Sequence, residues 1–327
     1  MKVFVLALND VFDTGLATVT DAFVTANELA EMSGIASLRF DLSIVGVRRK
    51  IKTAQGLTVP VVPAPERATP DLVIVPALGF KTPDTLEPAL ARAEVCEATE
   101  MLRHWAAKKV RIAAACIGTF VLGESGLLDD QEATTTWWLA PLFRRRYPKV
   151  RIDESRIIVS SGQFVTAGAA LSHLDMALWL IRRVSPELAA LTARYLIVDT
   201  RPSQAAYIIP SHLANADPVV ERFERWARRR LAHGFSLDAA ARATATSTRT
   251  LARRMQKVLG KSPLSYFQDL RVERAVHLLK VTSDGVDEIA AKVGYADGVA
   301  LRLLLRRRLG RGIRELRPRP ETLARIA

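Results

Sequence analysis

A cysteine lies at the turn of the sequence that is most suggestive of chemistry. Residues 110–124 read VRIAAACIGTFVLGE, so a buried strand leads into Cys116 and Gly118 opens a helix. Unpaired N–H groups at a helix N-terminus lower the pKa of a thiol and stabilise an anion. This arrangement is that of a nucleophile elbow. A small, buried, apolar cysteine fits the same residues equally well, so both interpretations stay open.

Regularly spaced arginines indicate a second kind of chemistry near the other end of the sequence. Two similar units, 236–260 and 286–310, each consist of a short helix, a tight turn and a longer helix. In a helix-turn-helix the second helix enters the major groove, and its N-terminal side chains meet base edges. Arginine there can hold guanine O6 and N7 with two hydrogen bonds. We therefore predict that DNA is contacted by Thr248, Arg249, Ala252, Arg253, Val299, Arg302 and Arg306.

The charge of the 327-residue chain is distributed unevenly. Residues 201–327 hold 25 Lys and Arg against 12 Asp and Glu, which accounts for the whole net charge of +13. Residues 1–200 are neutral, with 22 residues of each sign. This asymmetry predicts that one end alone contacts nucleic acid or a membrane surface, and it argues against a single-domain enzyme. The alternative is that the arginines form an ordinary solvated helix face.

The elements that must position these residues alternate along the first 200 residues. Apolar runs at 2–8, 40–47, 71–75 and 110–115 predict strands, and the segments 18–32, 87–108 and 169–184 predict helices. Nearly continuous apolar runs are typical of strands buried on both faces of a parallel sheet. The fold class predicted for this part is α/β, a doubly wound parallel sheet of the flavodoxin-like kind.

A proline-rich stretch, 200–217, predicts a linker between a domain at 1–199 and an all-α domain at 218–327. Within the second domain, Ser236 and Ser247 suit helix N-caps, and Gly294 suits a left-handed turn. Apolar residues at i, i+4 spacing on the two second helices predict a core formed by Leu251, Met255, Leu301 and Leu305.

The composition gives no sign of a metal or a cofactor. The two cysteines, Cys96 and Cys116, support neither a disulfide framework nor a CxxC metal site. The opening MKVFVLALND is interpreted as a strand rather than a signal peptide, and no apolar run reaches the ~18 residues of a spanning helix. We expect a cytoplasmic, nucleoid-associated protein with no membrane partner.

The basic end resembles the tandem helix-turn-helix domain of the AraC/XylS family over residues 218–318. The likeness lies in S-x-R-x-L-x-R at 247–253, in LGKSPLSYFQDLRVERAVHLL and in EIAAKVGY at 288–295. Leu301 and Leu305 take the places of two Phe residues that are usual in the family. Leu303 stands where relatives carry a base-contacting Arg, with Arg302 beside it. The resemblance implies the tandem helix-turn-helix fold. The departures lie in the second helix-turn-helix, 286–310, and concern its recognition of bases.

The neutral end resembles the PfpI-type, glutamine-amidotransferase-like domain that is fused to AraC-type regulators of the GlxA type. The likeness lies in 11–23, with Asp13 at the acidic position, in 113–138 and in 164–181. Catalytic relatives carry a His that activates the cysteine, and Thr136 occupies that position here. A thiol without an adjacent base loses its usual route to activation. His173 is the one plausible substitute, although a structural role fits it better.

Ligands of open α/β sheets bind beyond the carboxyl ends of the strands. We expect a ligand pocket there that is lined by Asp13, Gly79, Cys116, Ile117 and Trp137. Trp137 and Trp138 could hold a cationic amine by cation–π contact, or they could serve packing or a dimer surface.

These patterns predict a regulator rather than an enzyme, with no catalytic residue. Its partners would be promoter DNA, a small-molecule effector resembling an amine or amino acid, and a second copy in a homodimer. The rival hypotheses are a cysteine-dependent hydrolase or amidase tethered to DNA and a sequence-neutral nucleoid protein.

Overall fold

The computed structural model describes residues 1–35, 39–63, 69–199, 201, 203–204, 207–208, 217–310 and 312–317. The chain divides into two compact units, Met1–Gln204 and Ala205–Ala327, called the first and the second unit below. Most of the predicted linker 200–217 lies outside the described residues. Ser203 and Gln204, near its start, belong to the first unit.

A central sheet carries the first unit, as the alternation of strands and helices predicts. Its strand order is β10-β11-β7-β6-β1-β2-β5. Two short two-stranded ladders, β3 with β4 and β8 with β9, lie outside it. The strands in the described residues are β1 (Lys2–Leu6), β2 (Asp41–Gly46), β3 (Lys50–Lys52), β4 (Thr58–Pro60), β5 (Val62–Pro63), β6 (Leu72–Val75), β7 (Arg111–Ala115), β8 (Glu132–Ala133), β9 (Arg151–Ile152), β10 (Ile158–Ser161) and β11 (Phe164–Ala167).

The sheet is parallel, as predicted, except at one edge. Strand β10 runs antiparallel to β11, with Ser161 opposite Phe164. Gly162, at a φ of +57°, lies in the tight turn between them. A parallel pair needs a crossover of a dozen or more residues, and two residues can only form a hairpin.

Both faces of the sheet are covered by helices. Along β6 all four residues are buried, and their side chains point alternately to opposite faces. Val73 and Val75 join one apolar cluster, whereas Leu72 and Ile74 join the other. The helices of the described first unit are α1 (Asp13–Met32), α2 (Pro83–Leu90), α3 (Ala93–Ala107), α4 (Gly118–Glu124), α5 (Ala140–Arg146), α6 (Ser172–Val184) and α7 (Pro186–Tyr195).

Two predicted helix bounds are wrong. Helix α1 begins five residues before the predicted start at 18, with the acidic Asp13 in its first turn. The predicted helix 87–108 is interrupted between α2 and α3, where Arg92 has an extended backbone. This conformation lets the Arg92 guanidinium pair with Asp10 at 2.5 Å and lie 5.4 Å from the Phe80 ring centroid. The break therefore fixes the loop that follows β1.

The second unit is helical and contains both predicted helix-turn-helix motifs. Serine side chains cap three of its helices: Ser236 accepts from Ala239 N–H and Ser247 from Thr250 N–H, and Ser262 accepts in the same way. No described helix of the chain is both long enough and apolar enough to cross a membrane. The described helices of this unit are α8 (Pro218–Arg228), α9 (Leu237–Ala243), α10 (Thr248–Leu259), α11 (Pro263–Val281), α12 (Val286–Lys292), α13 (Gly298–Leu309) and α14 (Ile313–Leu316).

The apolar core of the second unit agrees with the sequence pattern. The four predicted core residues of the two second helices are all fully buried: Leu251, Met255, Leu301 and Leu305. Each motif therefore turns one face of its second helix inward, which leaves the opposite face for solvent or a partner.

A buried arginine at the centre of α11 holds the turn of the second motif. Arg271 is 6% exposed, and its guanidinium donates to the carbonyls of Leu231 at 3.0 Å and His233 at 2.6 Å. The same guanidinium lies 5.1 Å from the Tyr295 ring centroid. Gly294, in the turn between α12 and α13, has a φ of +79° and packs directly on Arg271 and the Leu231 carbonyl.

Gly294→Ala should destabilise the second unit by about 1–3 kcal/mol, because the added Cβ would overlap Arg271 and strain a left-handed backbone. Gly234→Ala is the matched control, since an added Cβ meets nothing within 4 Å there. Urea unfolding of the full-length variants measures both changes. Equal midpoints for the two variants would contradict this account of the turn.

Candidate functional site

The strand-to-helix turn after β7 forms the predicted elbow. Cys116 has a φ of +56°, in the left-handed region that non-glycine residues rarely adopt. Its N–H donates to the Ala167 carbonyl at 2.9 Å, which extends the pairing of β7 with β11 by one residue. Helix α4 then begins at Gly118, where an added Cβ would overlap the Val75 carbonyl. The elbow is thus a consequence of very close packing of α4 on β6.

The thiol of this elbow is closed off from solvent. Cys116 is 4% exposed. Burial raises its pKa to about 12, and interactions with the Ile117 backbone and the Thr136 hydroxyl counteract this only in part. Of the two interpretations that the sequence leaves open, lowering of the thiol pKa by the helix N-terminus does not hold, because desolvation of the thiolate exceeds the benefit of a seven-residue helix. The alternative, a small buried cysteine, is the one that the structure bears out.

Three consecutive threonines surround the elbow. Thr135 Oγ1 donates to the Cys116 carbonyl at 2.7 Å, and the Thr134 N–H donates to Thr166 Oγ1 at 2.8 Å. Thr136 is fully buried, and its hydroxyl interacts with the Cys116 thiol. A threonine hydroxyl does not accept a proton from a thiol near neutral pH, so this position supplies no general base.

His173 does not replace the missing base. Its Nε2 accepts a hydrogen bond from the Ala77 N–H at 3.0 Å, and its Nδ1–H donates to the Ala170 carbonyl. Burial lowers the pKa of the imidazole to about 4. The ring also packs tightly on α1, since a Cβ on Gly15 would lie 2.7 Å from Nε2. Both ring nitrogens are engaged, and the structural role expected for this histidine is confirmed.

The loops after β1 and β6 lie on the same side of the sheet as the elbow, since β6 neighbours β7 and β1 is the next strand beyond β6. Asp13 Oδ2 accepts from the Gln55 N–H at 3.1 Å, while its Oδ1 is buried without a partner in the described residues. The Gly79 N–H donates to the Asp10 carbonyl at 2.7 Å. An added Cβ on Gly79 would overlap Ala54, so these loops meet closely. Asp13, Gly79 and Cys116 therefore share the carboxyl edge of the sheet.

The other two predicted pocket residues are part of the packing at this edge. Ile117 is 1% exposed and Trp137 is 8% exposed. Trp137 and Trp138 contact each other edge to face, with ring centroids 5.6 Å apart. Trp138 also packs on the apolar cluster beneath α4 and α5.

A glutamine that the sequence assigned to the linker completes this edge. Gln204 is 2% exposed, and its Nε2 donates to the Thr135 carbonyl at 3.1 Å. Its Oε1 accepts from the Ala169 N–H at 2.8 Å, and the side chain fills the space that a Cβ on Gly168 would need. Thr135 thus joins the Cys116 carbonyl to Gln204. The paired glycine and glutamine are far apart in sequence, so no local pattern signals this contact.

The first recognition helix, α10, presents the side chains that the sequence predicts. Arg249 and Arg253 are exposed, and Thr248 and Ala252 are partly exposed beside them. Arg254 instead pairs with Asp217 at 2.8 Å and serves the fold. Residues 249 and 253 are one helical turn apart, so their guanidiniums project from one face.

The second recognition helix, α13, has a mixed outer face. Val299 is 68% exposed and Leu303 is 71% exposed, one helical turn apart. Arg302 and Arg306 are also exposed, whereas Arg308 turns inward and pairs with Asp269. Leu303 was not among the predicted DNA contacts. Its exposed apolar side chain beside Val299 is unusual on a surface that the other residues make basic.

Comparisons with known proteins agree with this architecture. A sequence model of the DJ-1/PfpI family matches residues 1–183. The chain belongs to the DJ-1/PfpI family. A model described as a helix-turn-helix domain matches residues 240–319, which includes the first motif from residue 240 onwards and the whole of the second. The DJ-1/PfpI unit is therefore followed by a helix-turn-helix domain of the AraC type, as the two resemblances imply.

Similar proteins combine the same parts. HTH-type transcriptional regulator GbdR of Pseudomonas aeruginosa is 28% identical over 210 residues, 63% of this chain and 57% of the relative. GlxA of Rhizobium meliloti is 28% identical over 204 residues, 60% of this chain and 61% of the relative. The chain thus matches less than two thirds of either relative. A crystal structure of an AraC family transcriptional regulator from Pseudomonas putida shares the fold, with a TM-score of 0.51, 21% identity, and coverage of 60% of this chain and 98% of that one.

In the native DJ-1/PfpI unit, Cys116 should resist thiol reagents. At pH 8 a pKa of about 12 leaves about one thiolate in ten thousand, and burial hinders access further. Cys96 is exposed and should react with Ellman's reagent at an ordinary rate, so the native protein should show one fast thiol and the denatured protein two. Cys96→Ser should abolish the fast phase. A fast phase that persists in this variant would contradict the closed elbow.

Proposed function

We propose that this protein is a sequence-specific, DNA-binding transcriptional regulator. The observation that carries the proposal is the pair of packed helix-turn-helix motifs whose second helices, α10 and α13, expose basic side chains on their outer faces. The excess of positive charge lies in the same part of the chain and supplies the attraction for phosphates. The matched relatives are themselves named HTH-type transcriptional regulators.

In this proposal α10 recognises guanine. The Arg249 and Arg253 guanidiniums each have the planar fork that fits guanine O6 and N7. Thr248, at the first position of α10, comes directly before Arg249, and Ala252 comes directly before Arg253. The Thr248 hydroxyl and the Ala252 methyl group would each contact a neighbouring base. Two motifs in one chain would place α10 and α13 in adjacent major-groove segments, ~34 Å apart along the duplex.

Helix α13 is proposed to recognise thymine by its methyl group. Val299 and Leu303 present apolar surface, Leu303 at the position where relatives are expected to carry an arginine, and thymine C5-methyl is the apolar feature of the major groove. Arg302 contributes a base contact from the same face. Arg306, one turn further on, is placed for phosphate, which fixes the position of the helix without reading sequence.

The DJ-1/PfpI unit is proposed to bind a small-molecule effector rather than to catalyse a reaction. The effector would occupy the edge formed by Asp13, Gly79, Cys116, Ile117 and Trp137, where a buried polar atom, Asp13 Oδ1, lacks a partner in the described residues. Buried polar atoms without partners are costly, and a bound polar ligand would satisfy them. An amine or amino-acid-like metabolite suits the carboxylate of Asp13. The raised thiol pKa and the engaged His173 argue against the rival hydrolase.

Two further parts of the proposal concern assembly and location. A homodimer formed through the DJ-1/PfpI unit would present two DNA-binding domains to one promoter, as symmetric regulators do. A promoter-binding protein of this kind acts in the cytoplasm on the nucleoid. Ligand control then requires that the effector bind the DNA-competent and the incompetent state with different affinity.

Arg253→Ala should weaken binding to a DNA site, selected by the full-length protein from a random library, about tenfold or more. One bidentate contact to guanine contributes about 1–3 kcal/mol of discrimination. Arg274→Ala, which removes the same charge from an exposed position on α11, should change the affinity much less. Fluorescence anisotropy at two salt concentrations measures both. Equal losses for the two variants, or equal affinity for selected and scrambled DNA, would contradict sequence-specific binding through α10.

Replacing single thymines of that selected site with deoxyuridine should identify the contacts of α13, because only the C5-methyl group is removed. Loss of one buried methyl predicts an affinity about fourfold weaker, from about 0.8 kcal/mol per group. The Val299→Ala/Leu303→Ala protein should be insensitive to those same substitutions. Val281→Ala, which trims an exposed valine on α11, should stay sensitive. Full sensitivity of the double variant would contradict thymine recognition by this helix.

A further inference from the structure

A cleft of about 510 Å³ opens on the first unit, away from the elbow. It lies where edge strand β10, helices α6 and α7, and residues Val198, Asp199 and Arg201 come together. Such a volume lies within the range of ordinary small-molecule sites, about 300–1,000 Å³. The residues that matter for its chemistry are Trp179, Leu178, Val198, Arg156, Arg182 and Arg201.

The charges around this cleft do not cancel. Arg201 pairs with Asp175, and it also donates to the Leu171 carbonyl at 3.2 Å. Arg156 and Arg182 form no ion pair with any residue that the structure describes. Asp199 is the other carboxylate in the lining. Three arginines against two aspartates leave one positive charge in excess, carried by the two unpaired guanidiniums.

The backbone at both unpaired arginines is held in place by hydrogen bonds or by a helix. The Arg156 carbonyl accepts from Thr134 Oγ1 at 2.9 Å, and residue 156 pairs with Ser203 in an isolated β-bridge. Arg182 lies on α6 one turn after Trp179, so its guanidinium and the indole share a face of the helix. The positions from which the two guanidiniums project are therefore set before any ligand arrives, which lowers the entropic cost of binding.

We propose that this cleft binds a small organic monoanion. Its carboxylate would lie between the Arg156 and Arg182 guanidiniums, which match a carboxylate in geometry and charge. Its apolar body would lie against Trp179, Leu178 and Val198, where burial of apolar surface favours binding. One carboxylate neutralises the excess charge of the lining, whereas a dianion would leave an unpaired negative charge beside Asp199.

The proposed site is separate from the elbow and does not depend on the proposed effector site there. The elbow lies at the carboxyl ends of β1, β6 and β7, while the cleft uses the antiparallel edge strand β10 and the end of α7. One connection between the two regions is the Arg156 carbonyl, which accepts from both Thr134 and Gln204.

Isothermal titration calorimetry of the full-length protein with 1-naphthaleneacetate tests the proposal. Its neutral amide, 1-naphthaleneacetamide, has the same body without the charge and serves as the matched ligand. We expect saturable binding of one acid per chain, with the amide at least tenfold weaker. Arg156→Gln and Arg182→Gln should each weaken binding of the acid about tenfold or more, since each removes a charged hydrogen-bond donor.

Arg194→Gln is the control variant, because Arg194 is exposed on α7 and does not line the cleft. It should bind the acid as the unaltered chain does, and circular dichroism should show all three variants folded. Equal binding of acid and amide, no binding of the acid, or equal effects of the three variants would overturn the proposal. No DNA is present in these titrations, so failure here leaves the proposed regulatory function standing.

Discussion

The first unit depends on the contact between Gly118 and the Val75 carbonyl. This contact lets α4 lie directly on β6, and it obliges the chain to turn sharply at Cys116 with a positive φ. The turn buries the thiol and directs the Cys116 carbonyl towards Thr135 Oγ1. This packing leaves Cys116 4% exposed, and neither Thr136 nor the engaged His173 supplies the thiol with a base.

Hydrogen bonds connect the buried elbow to Gln204 at the C-terminal end of the first unit. Thr135 links the Cys116 carbonyl to Gln204, and Gln204 fills the space beside Gly168. Gln204 is the last residue of the first unit, so the start of the segment that leads to the second unit is bonded to the sheet edge.

The second unit is held together at its centre by the buried side chain of Arg271. Arg271 joins the chain after α8 to α11 by hydrogen bonds, and it packs against the turn before α13. The outer faces of the recognition helices take no part in these contacts. Individual arginines of the recognition helices also differ in role. Arg254 and Arg308 pair with aspartates and stabilise the fold, whereas Arg249, Arg253 and Arg302 remain exposed.

Sequence reasoning succeeded where the pattern is local and failed where the cause is not. The strands at 72–75 and 111–115, the serine caps and the left-handed turn at Gly294 follow from neighbouring residues, and all are present. The sequence leaves open whether the Cys116 thiol is activated or simply buried, because nearby N–H groups can be recognised in a sequence but the degree of desolvation cannot. Gln204 was assigned to a linker, since only the folded sheet brings Gly168 to it.

The central claim is that this chain acts on specific DNA sites through its second unit, while its DJ-1/PfpI unit performs no chemistry. Genome-wide mapping of bound sites in the native cell tests it most directly, by comparing the full-length protein with an Arg249→Ala/Arg253→Ala variant. The account predicts discrete peaks upstream of genes, which share a motif and disappear in the variant. A diffuse profile that is the same for both proteins would contradict it.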